Sequence, residues 1–395
     1  MPDCANIAIL GRGFVNWGGG VDLLRILING LTAVERDGSP IQVLLPRETW
    51  KSRLIGRLFA SSPRPTESQL RSAFATYGNR VEVRFFDDTA GGLLESLRAV
   101  RADIVLPCMY SLGAKYPVPW IGYLLDFQHM HLPHLFSRWN RVYRRHTFTA
   151  MLREAKTILV NARAVEVDAT RFYPNSHARI TPLPFAPSVR KEWLAVDAEG
   201  TRHRFGIPER YFIICNQFWV HKDHQTAFRA FASFLQALPR SERSVALVCT
   251  GSMHDYRAPH HMGQLRALLD ELAIAGSVHL LGHIAKEEQI ALLRGAIAVL
   301  QPTLFEGGPG GGAIYDAVAL GVPSIVSDIP VNREIDDASV RYFPPRDPGE
   351  LARLMLEALR QPRVAMDDSL LVARSAARVR RLGETLQEAI VAALQ

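Results

Sequence analysis

Short apolar segments typical of buried strands alternate with amphipathic helical segments along most of this chain. The first series of strand candidates comprises Ala5 to Leu10, Ile41 to Leu45, Val81 to Phe86, Asp103 to Leu106, Ile121 to Leu125 and Thr157 to Val160. The second series comprises Tyr211 to Cys215, Val245 to Thr250, Ser277 to Leu281, Ala296 to Leu300 and Ser324 to Ser327. This alternation predicts parallel sheets covered by helices, and because it stops and restarts, it predicts two Rossmann-like domains.

The interruption falls between Pro182 and Pro208, where prolines and charged residues are frequent and the periodicity is lost. Such a composition is typical of a segment that joins two domains. We therefore expect an N-terminal domain over residues 1–187, a linker over 188–208, a C-terminal domain over 209–365 and a final helix over 366–395.

Length and composition limit the class of protein. The chain has 395 residues, of which 48% are hydrophobic and 22% charged, enough for two domains with full cores. No apolar run reaches the roughly 18 residues of a membrane-spanning helix, and the run from Ala5 is too short for a signal peptide. We therefore expect a cytoplasmic protein. The cysteines are widely spaced, which predicts reduced thiols and no structural metal. They are Cys4, Cys108, Cys215 and Cys249.

The net charge of +7 favours an anionic partner, and a nucleotide diphosphate, an acidic lipid surface and a nucleic acid all fit it. We do not expect nucleic acid, because no recognition helix, zinc finger or aromatic RNA-binding motif accompanies the charge. A predicted helix that carries Trp139 and Tyr143 also places four arginines largely on one side. They are Arg138, Arg141, Arg144 and Arg145. This basic and aromatic face suits an anionic membrane surface, and a plain solvated face is the alternative.

The segment from Gln301 to Pro323 reads QPTLFEGGPGGGAIYDAVALGVP and follows a strand candidate. It places Glu306 and a glycine-rich loop directly before a predicted helix that begins near Ala313. The glycines are Gly307, Gly308, Gly310, Gly311 and Gly312. Glycine permits positive φ and leaves the backbone open to a ligand, and a helix start offers free N–H groups. The segment therefore predicts a phosphate site, with a flexible surface turn as the alternative.

Three further segments follow strand candidates, where open α/β sheets bind ligands. Asp126 to His134 is rich in histidine, and Asn216 to His224 contains Lys222. Gly11 to Gly20 precedes a helix expected near Val21. This last segment fails as a dinucleotide-binding fingerprint because Asn16 stands where that motif needs glycine, so a tight turn without a ligand fits it as well.

Several of these features together resemble the signature of the family-4 retaining glycosyltransferases, which have the GT-B fold. They are Glu306, the glycine loop, Asp316 with Ala317, the run Gly321 to Pro323 and the run Ser327 to Pro330. The resemblance covers most of the chain. It implies an α/β protein with two Rossmann-like parallel-sheet domains facing a central cleft, a nucleotide diphosphate sugar as donor, and neither metal nor cofactor. In such proteins the last helix often crosses back to the first domain; a plain closing helix is the alternative.

By position, the resemblance implies that Glu306 contacts the donor sugar and that Asp316 binds the nucleotide ribose. This sequence departs from the family pattern in two respects. Nine residues rather than seven separate the two acids, and the second acid is an aspartate rather than a glutamate. The side chain of Asp316 is one methylene shorter than the family's glutamate, which puts the ribose contact in doubt.

The resemblance also assigns the nucleotide diphosphate. Lys222 matches a lysine that holds the diphosphate as it leaves, whereas Gln217 stands where the family has an arginine. We expect Lys222 to be assisted by His221 or by the glycine amides, because the departing phosphate gains charge in a water-poor cleft. The matches to the first-domain glycine loop are Gly18, Gly19 and Gly20, and the matches to the turn that lines the base pocket are His283 and Ile284.

The loop after Leu125 matches a family loop that supplies a histidine near the donor sugar and the acceptor. We assign this role to His129, with Asp126 orienting it or contacting the acceptor, and His131 is the rival. A buried, hydrogen-bonded histidine and a zinc ligand are alternatives, although no complete tetrahedral ligand set is apparent.

We therefore expect a retaining glycosyltransferase that uses a nucleotide diphosphate sugar. Its acceptor would be a glycan or lipid-linked saccharide in cell-surface polysaccharide biosynthesis, at the inner face of the membrane. A nucleotide-sugar epimerase or a phosphorylase on the same fold and a degenerate, non-catalytic sugar-binding subunit are the alternatives. The sequence does not predict the sugar, the base, the linkage or the oligomeric state.

Overall fold

A computed structural model describes residues 5–16, 18–34, 40–47, 65–361 and 366–395. Cys4 therefore lies outside the described residues, as does Trp17 of the first glycine-rich segment. The chain divides into two compact units. The first comprises Met1–Ala186 with Ala377–Gln395, and the second comprises Pro187–Ala376.

The described residues of the first unit form a parallel sheet of seven strands. The strands are β1 (Ile7–Leu10), β2 (Ile41–Pro46), β3 (Val81–Phe86), β4 (Ile104–Cys108), β5 (Trp120–Leu124), β6 (Thr157–Val160) and β7 (Arg179–Pro182). Their order is β3-β2-β1-β4-β5-β6-β7. The helices of this part are α1 (Gly18–Ala33), α2 (Glu67–Phe74), α3 (Ala90–Ala99), α4 (Gln128–His131), α5 (Arg138–Glu154) and α6 (Arg163–Phe172).

The second unit contains a parallel sheet of six strands in its described residues. They are β8 (Arg210–Cys215), β9 (Val245–Thr250), β10 (Val278–Gly282), β11 (Val299–Gln301), β12 (Ser324–Ser327) and β13 (Val340–Phe343), in the order β10-β9-β8-β11-β12-β13. The helices are α7 (Lys191–Leu194), α8 (Ala198–Arg204), α9 (His224–Ala237), α10 (His261–Glu271), α11 (Lys286–Gly295), α12 (Gly311–Ala319), α13 (Pro348–Arg360) and α14 (Asp368–Leu394). Most of α14 belongs to the first unit.

Two parallel α/β units agree with the predicted fold class. Each strand candidate of the sequence coincides with an observed strand, with small shifts at the ends. The sequence missed β7 and β13, which lie at sheet edges and are short and partly exposed, so they lack the apolar run of a central strand. The helices predicted near Val21 and Ala313 begin earlier, at Gly18 and Gly311.

The segment 188–208, which we predicted to be a linker, contains the short helices α7 and α8 and falls within the second unit. The helix α7 is anchored there by side-chain contacts. Trp193 is 5% exposed, and the guanidinium of Arg294 on α11 donates to the carbonyl oxygen of Leu194.

Each unit has its own apolar core. In the first unit, Leu27 and Ile28 of α1 pack in one cluster with Leu382 and Leu386 of α14. The two helices approach closely, since a Cβ on Gly383 would stand 2.2 Å from the carbonyl oxygen of Gly30. Glycine at these two positions therefore lets the end of the chain close the first core.

The described cysteines, Cys108, Cys215 and Cys249, are free thiols. Among the described residues, no helix has the length and apolar character needed to cross a bilayer. In the same residues, no cluster of three or more histidine, cysteine or acidic side chains is arranged to hold a metal ion.

The strand order reverses direction in each sheet at one place, between β1 and β4 in the first and between β8 and β11 in the second. Ligands of open α/β sheets bind beyond the carboxyl ends of the strands at such a point. The segment that carries Lys222 follows β8, and the segment that carries Glu306 follows β11. The topology of the second unit therefore brings two distant sequence motifs to the same place.

Candidate active site

Lys222 and Glu306 form an ion pair in the second unit. The Nζ atom of Lys222 lies 2.5 Å from Oε1 of Glu306, and the two side chains are only 12% and 8% exposed. Lys222 ends a single 3-10 turn, Val220–Lys222, that follows β8. The structure thus brings together the two residues to which the sequence assigned the diphosphate and the donor sugar.

Two buried amides hold this pair in place. The side-chain nitrogen of Gln301, the last residue of β11, donates to Oε1 of Glu306 at 2.8 Å and to the carbonyl oxygen of Gly310 at 3.0 Å. The side-chain oxygen of Gln301 accepts from Asn216 after β8, at 2.6 Å. The sequence analysis gave Gln301 and Asn216 no role. The available signal was a polar side chain at the end of each apolar strand, since a buried amide must find partners.

The glycine loop turns sharply into α12. Gly310 and Gly311 have φ angles of 64° and 61°, in the region that favours glycine, and the amide of Gly310 donates to Oδ1 of Asn332 at 2.8 Å. A Cβ on Gly311 would stand 3.2 Å from Oε2 of Glu306, whereas a Cβ on Gly312 would meet nothing within 4 Å. The predicted site glycines Gly308, Gly310, Gly311 and Gly312 therefore form one turn beside Glu306. The N–H groups of Gly310 and Gly311 are used within this part of the fold, so the N–H groups offered to an anion begin at the exposed Gly312.

Asp316 has a partner that the sequence analysis missed. Its carboxylate pairs with the ammonium of Lys286, the first residue of α11. Asp316 is 7% exposed, and the ammonium of Lys286 also lies 5.7 Å from the centre of the Trp193 ring. Asp316 thus lies beside a cation that begins the helix after the predicted base-binding turn. On that turn His283 is exposed and Ile284 is half-buried.

Of the two groups expected to assist Lys222, His221 or the glycine amides, His221 adds no positive charge. It is 3% exposed, and burial, with the nearby charge of Lys222, lowers its pKa to about 2. The imidazole is therefore neutral at physiological pH. Gln217 is exposed and carries no charge. Among the predicted diphosphate contacts, the charge comes from Lys222 alone, which leaves the helix start of α12 as its complement.

In the first unit, Gly18, Gly19 and Gly20 open α1. Gly20 has a structural reason to be glycine, because a Cβ there would stand 2.0 Å from the carbonyl oxygen of Phe14 in the preceding turn. Gly19 is exposed at the first turn of the helix. The positions of Gly18 and Gly19 are thus compatible with an anion at the start of α1, whereas Gly20 packs against the turn.

His129 and Asp126 are not brought together as we predicted. The ring of His129 is 1% exposed and lies among Phe127, Phe136 and Phe148, and within the described residues neither ring nitrogen has a hydrogen-bond partner. Burial and the charge of Arg144 lower its pKa to about 4. Asp126 instead accepts from the backbone N–H of Gln128 at 2.9 Å, at the start of α4.

His131 has the opposite environment. It is exposed, and its Nε2 atom lies 2.6 Å from Oδ2 of Asp168 on α6. A carboxylate within hydrogen-bond distance of an imidazole nitrogen fixes the orientation of the ring. Of the two rival histidines, His131 is therefore the one that a substrate can reach.

Comparison with known proteins agrees with this arrangement. Residues 209–361 match the family model described as Glycosyl transferases group 1. No curated protein sequence is significantly similar to the chain. The match falls within the second unit, and it confirms the resemblance to glycosyltransferases seen in the sequence.

Solved structures resemble the chain over almost its whole length. Anabaena HepE, solved in complex with UDP and glucose, is 15% identical with a TM-score of 0.60, covering 98% of this chain and 97% of HepE. Sucrose-phosphate synthase from Thermosynechococcus elongatus is 15% identical with a TM-score of 0.60, covering 99% and 95%. WaaG, a glycosyltransferase involved in lipopolysaccharide biosynthesis, is 15% identical with a TM-score of 0.55, covering 96% and 95%. The protein therefore has the GT-B fold.

Proposed function

We propose that this protein is a retaining, metal-independent glycosyltransferase that transfers a sugar from a nucleotide diphosphate to a glycan or lipid-linked saccharide. The observation that carries the proposal is the Lys222–Glu306 pair beside the glycine-rich start of α12. A cation, a carboxylate and open helix N–H groups are the groups that a sugar diphosphate needs. HepE is solved with UDP and glucose, so a UDP-sugar is the first donor to test.

In this proposal each side chain of the pair meets a different part of the donor. The diphosphate draws the ammonium of Lys222 and the N–H groups at the start of α12, which stabilise the charge that grows as the sugar bond breaks. The carboxylate of Glu306 accepts hydrogen bonds from the sugar hydroxyls. Glu306 positions the sugar, and the acceptor hydroxyl attacks the face from which the diphosphate departs, so the configuration at the sugar carbon is retained.

We propose further that Asp316 and Lys286 together contact the nucleotide ribose. The carboxylate of Asp316 accepts from one ribose hydroxyl, and the ammonium of Lys286 donates to the other. A shared contact accounts for the shorter aspartate, because Lys286 supplies reach that Asp316 lacks. On the first unit we assign the acceptor contact to His131, which Asp168 orients.

The exposed face of α5 supports a location at an anionic membrane surface. Trp139 is 84% exposed, and Val142 and Tyr143 are each 60% exposed, at spacings that place all three on one side of the helix. Arg138 and Arg145 are exposed beside them. Arg141 and Arg144 are half-buried, and Arg144 stacks on Phe136, so two of the four predicted arginines are not fully exposed. Large apolar side chains rimmed by arginines are typical of helices that bind lipid headgroups.

Nucleotide binding gives the first test of this function. UDP at 100 times its dissociation constant adds roughly 2.7 kcal/mol to the free energy of unfolding and raises the melting temperature. The rise should be lost in Lys222→Met. If UDP, GDP and dTDP all leave the melting temperature of the wild-type protein unchanged, the proposal is wrong. Turnover of a nucleotide sugar without any acceptor would instead indicate an epimerase.

A further inference from the structure

A cavity lies in the second unit, beside the candidate donor site. Its volume is about 430 Å³, within the range of pockets that hold small molecules. The lining residues are Val220, Asp223, Gln225, Thr226, Arg229, His261, Leu304, Arg346 and Pro348. None of the residues that we assign to the donor lines it. Its wall includes Val220, from the 3-10 turn that carries Lys222, and Leu304, from the loop that carries Glu306. The turn and the loop are joined by a hydrogen bond, because the amide of Leu304 donates to the carbonyl oxygen of His221 at 2.7 Å.

Two guanidinium groups of this cavity are available to an anion. Arg229 on α9 and Arg346 before α13 are both exposed. Within the described residues, neither side chain forms an ion pair or a hydrogen bond. Burial raises the pKa of the nearby Asp223 carboxyl, and the charge of Arg346 opposes that rise only in part. Other arginines of the second unit do pair with acidic side chains, as Arg353 does with Glu350. Each guanidinium group presents parallel N–H donors that match two oxygens of a phosphate group.

The cavity also has polar groups that suit hydroxyls. Thr226 donates to Oδ2 of Asp223 at 2.7 Å, and Gln225 is exposed beside them. His261 is 5% exposed, and its Nε2 atom has no hydrogen-bond partner in the described part of the chain. An acidic side chain repels a bare phosphate ion. Asp223 therefore favours a ligand that carries hydroxyl donors as well as a phosphate.

The backbone at this cavity is unusual. In the described residues, four non-glycine residues have positive φ: Arg101, Asp223, Ala273 and Arg346. Two of these four, Asp223 at 50° and Arg346 at 63°, line the same cavity. Side chains rarely adopt this conformation, and residues held in it are concentrated at ligand sites. The two unusual residues are also the acid and one of the arginines on which recognition would depend.

We propose that this cavity binds a sugar phosphate, with the phosphate held by Arg229 and Arg346 and the sugar hydroxyls by Asp223, Gln225 and Thr226. The site is separate from the donor site, so a nucleotide diphosphate and the sugar phosphate bind at the same time. The inference does not depend on the proposed transfer reaction.

Calorimetric titration with glucose 6-phosphate tests this site. We expect saturable binding that persists in the presence of saturating UDP. The double variant Arg229→Gln/Arg346→Gln should weaken that binding at least about tenfold, a loss of about 1.4 kcal/mol, and leave UDP binding unchanged. The matched control is Arg240→Gln/Arg266→Gln, which removes two exposed arginines of the same unit outside the cavity and should bind both ligands normally.

Other outcomes overturn the assignment. Binding of glucose 6-phosphate that survives in the double variant, or that UDP displaces, would place the ligand elsewhere. Inorganic phosphate that binds as tightly as glucose 6-phosphate would show that the hydroxyl contacts contribute nothing. Binding of glucose 6-phosphate by a wild-type protein that does not bind UDP would, in contrast, support this cavity and contradict only the donor site. Asp223→Asn gives an independent check, because it keeps the shape of the side chain and should weaken glucose 6-phosphate more than inorganic phosphate.

Discussion

The ammonium of Lys222 lies 2.5 Å from the carboxylate of Glu306, although the residues are 84 positions apart in the chain. Both side chains are nearly buried, and Gln301 donates a further hydrogen bond to the same carboxylate oxygen. Without a donor, each charge is therefore neutralised by the other. A bound sugar diphosphate offers an anion to Lys222 and hydroxyl donors to Glu306, so it replaces the ion pair with two contacts of complementary charge.

Ribose recognition is the first prediction. Lys286→Met and Asp316→Asn should each weaken UDP binding at least about tenfold, or 1.4 kcal/mol, because each removes one partner of the ribose contact. Both variants should also lose the preference of the wild-type protein for UDP over 2′-deoxy-UDP, which calorimetry measures. Lys191→Met removes an exposed lysine of α7 and is the control. An unchanged preference in both variants would show that this pair has only a structural role.

The glycine loop allows a test that separates folding from binding. A Cβ on Gly312 would meet nothing within 4 Å, so Gly312→Ala should change the free energy of unfolding by no more than about 0.5 kcal/mol. If the diphosphate approaches the start of α12, the added methyl group should nevertheless weaken UDP binding severalfold.

Gly263→Ala is the matched control for this prediction. Gly263 lies in the first turn of α10, where an added Cβ also meets nothing within 4 Å. This variant should bind UDP normally. Equal UDP affinity in Gly312→Ala and Gly263→Ala would exclude a ligand at the helix start.

The contrast between Gly20 and Gly312 shows where sequence reasoning succeeded and where it failed. Both belong to glycine-rich segments before helices, and the sequence treats them alike. In the structure Gly20 is required by the carbonyl of Phe14, whereas Gly312 faces open space. Such a difference depends on packing between residues that no local pattern records. The alternation of strands and helices, in contrast, is local, and it predicted the fold and all but two edge strands.

The environments of the two histidines and of Lys286 likewise depend on packing that the sequence pattern does not record. His129 and His131 are two positions apart, yet the first is enclosed by aromatic rings and the second is exposed beside Asp168. A helical segment only four residues long, Gln128–His131, turns them to different sides. The sequence analysis missed Lys286 because its partner, Asp316, lies 30 residues away along the chain. The two side chains meet only where α11 and α12 pack together.

Burial of His129 predicts a pH dependence of stability. Its pKa falls from 6.5 to about 4 in the folded protein, so the unfolded chain binds one more proton between these values. The free energy of unfolding should therefore decrease as pH falls from about 6.5 to about 4, by up to about 1.4 kcal/mol per pH unit from this residue.

Urea denaturation at several pH values measures this effect. His129→Phe keeps an aromatic ring in the cluster and should show a smaller loss of stability on acidification than the wild-type protein. The exposed His177→Gln should behave like the wild type. If His129→Phe loses stability as steeply as the wild type, the histidine is not held neutral in the fold.

Membrane association is a separate prediction. Vesicles that contain anionic lipid should bind the protein at low salt and release it at high salt, because exposed charges are screened within about 8 Å at physiological ionic strength. Arg138→Gln/Arg145→Gln should weaken this binding by about 1 kcal/mol per arginine, and Trp139→Ser should weaken it further. Arg240→Gln/Arg266→Gln keeps the same net charge as the double variant and should bind normally. Equal sedimentation with neutral and anionic vesicles would contradict the proposal.

Sugar transfer itself tests the central claim most directly. The wild-type protein, supplied with a panel of nucleotide sugars that begins with UDP-glucose and with saccharide acceptors, should release nucleoside diphosphate and form a product that keeps the donor's anomeric configuration. Glu306→Gln should lower turnover at least tenfold, about 1.4 kcal/mol of transition-state stabilisation, with little change in nucleotide affinity. Undiminished transfer by Glu306→Gln would contradict the account of this site, and a product of inverted configuration would contradict the proposed mechanism.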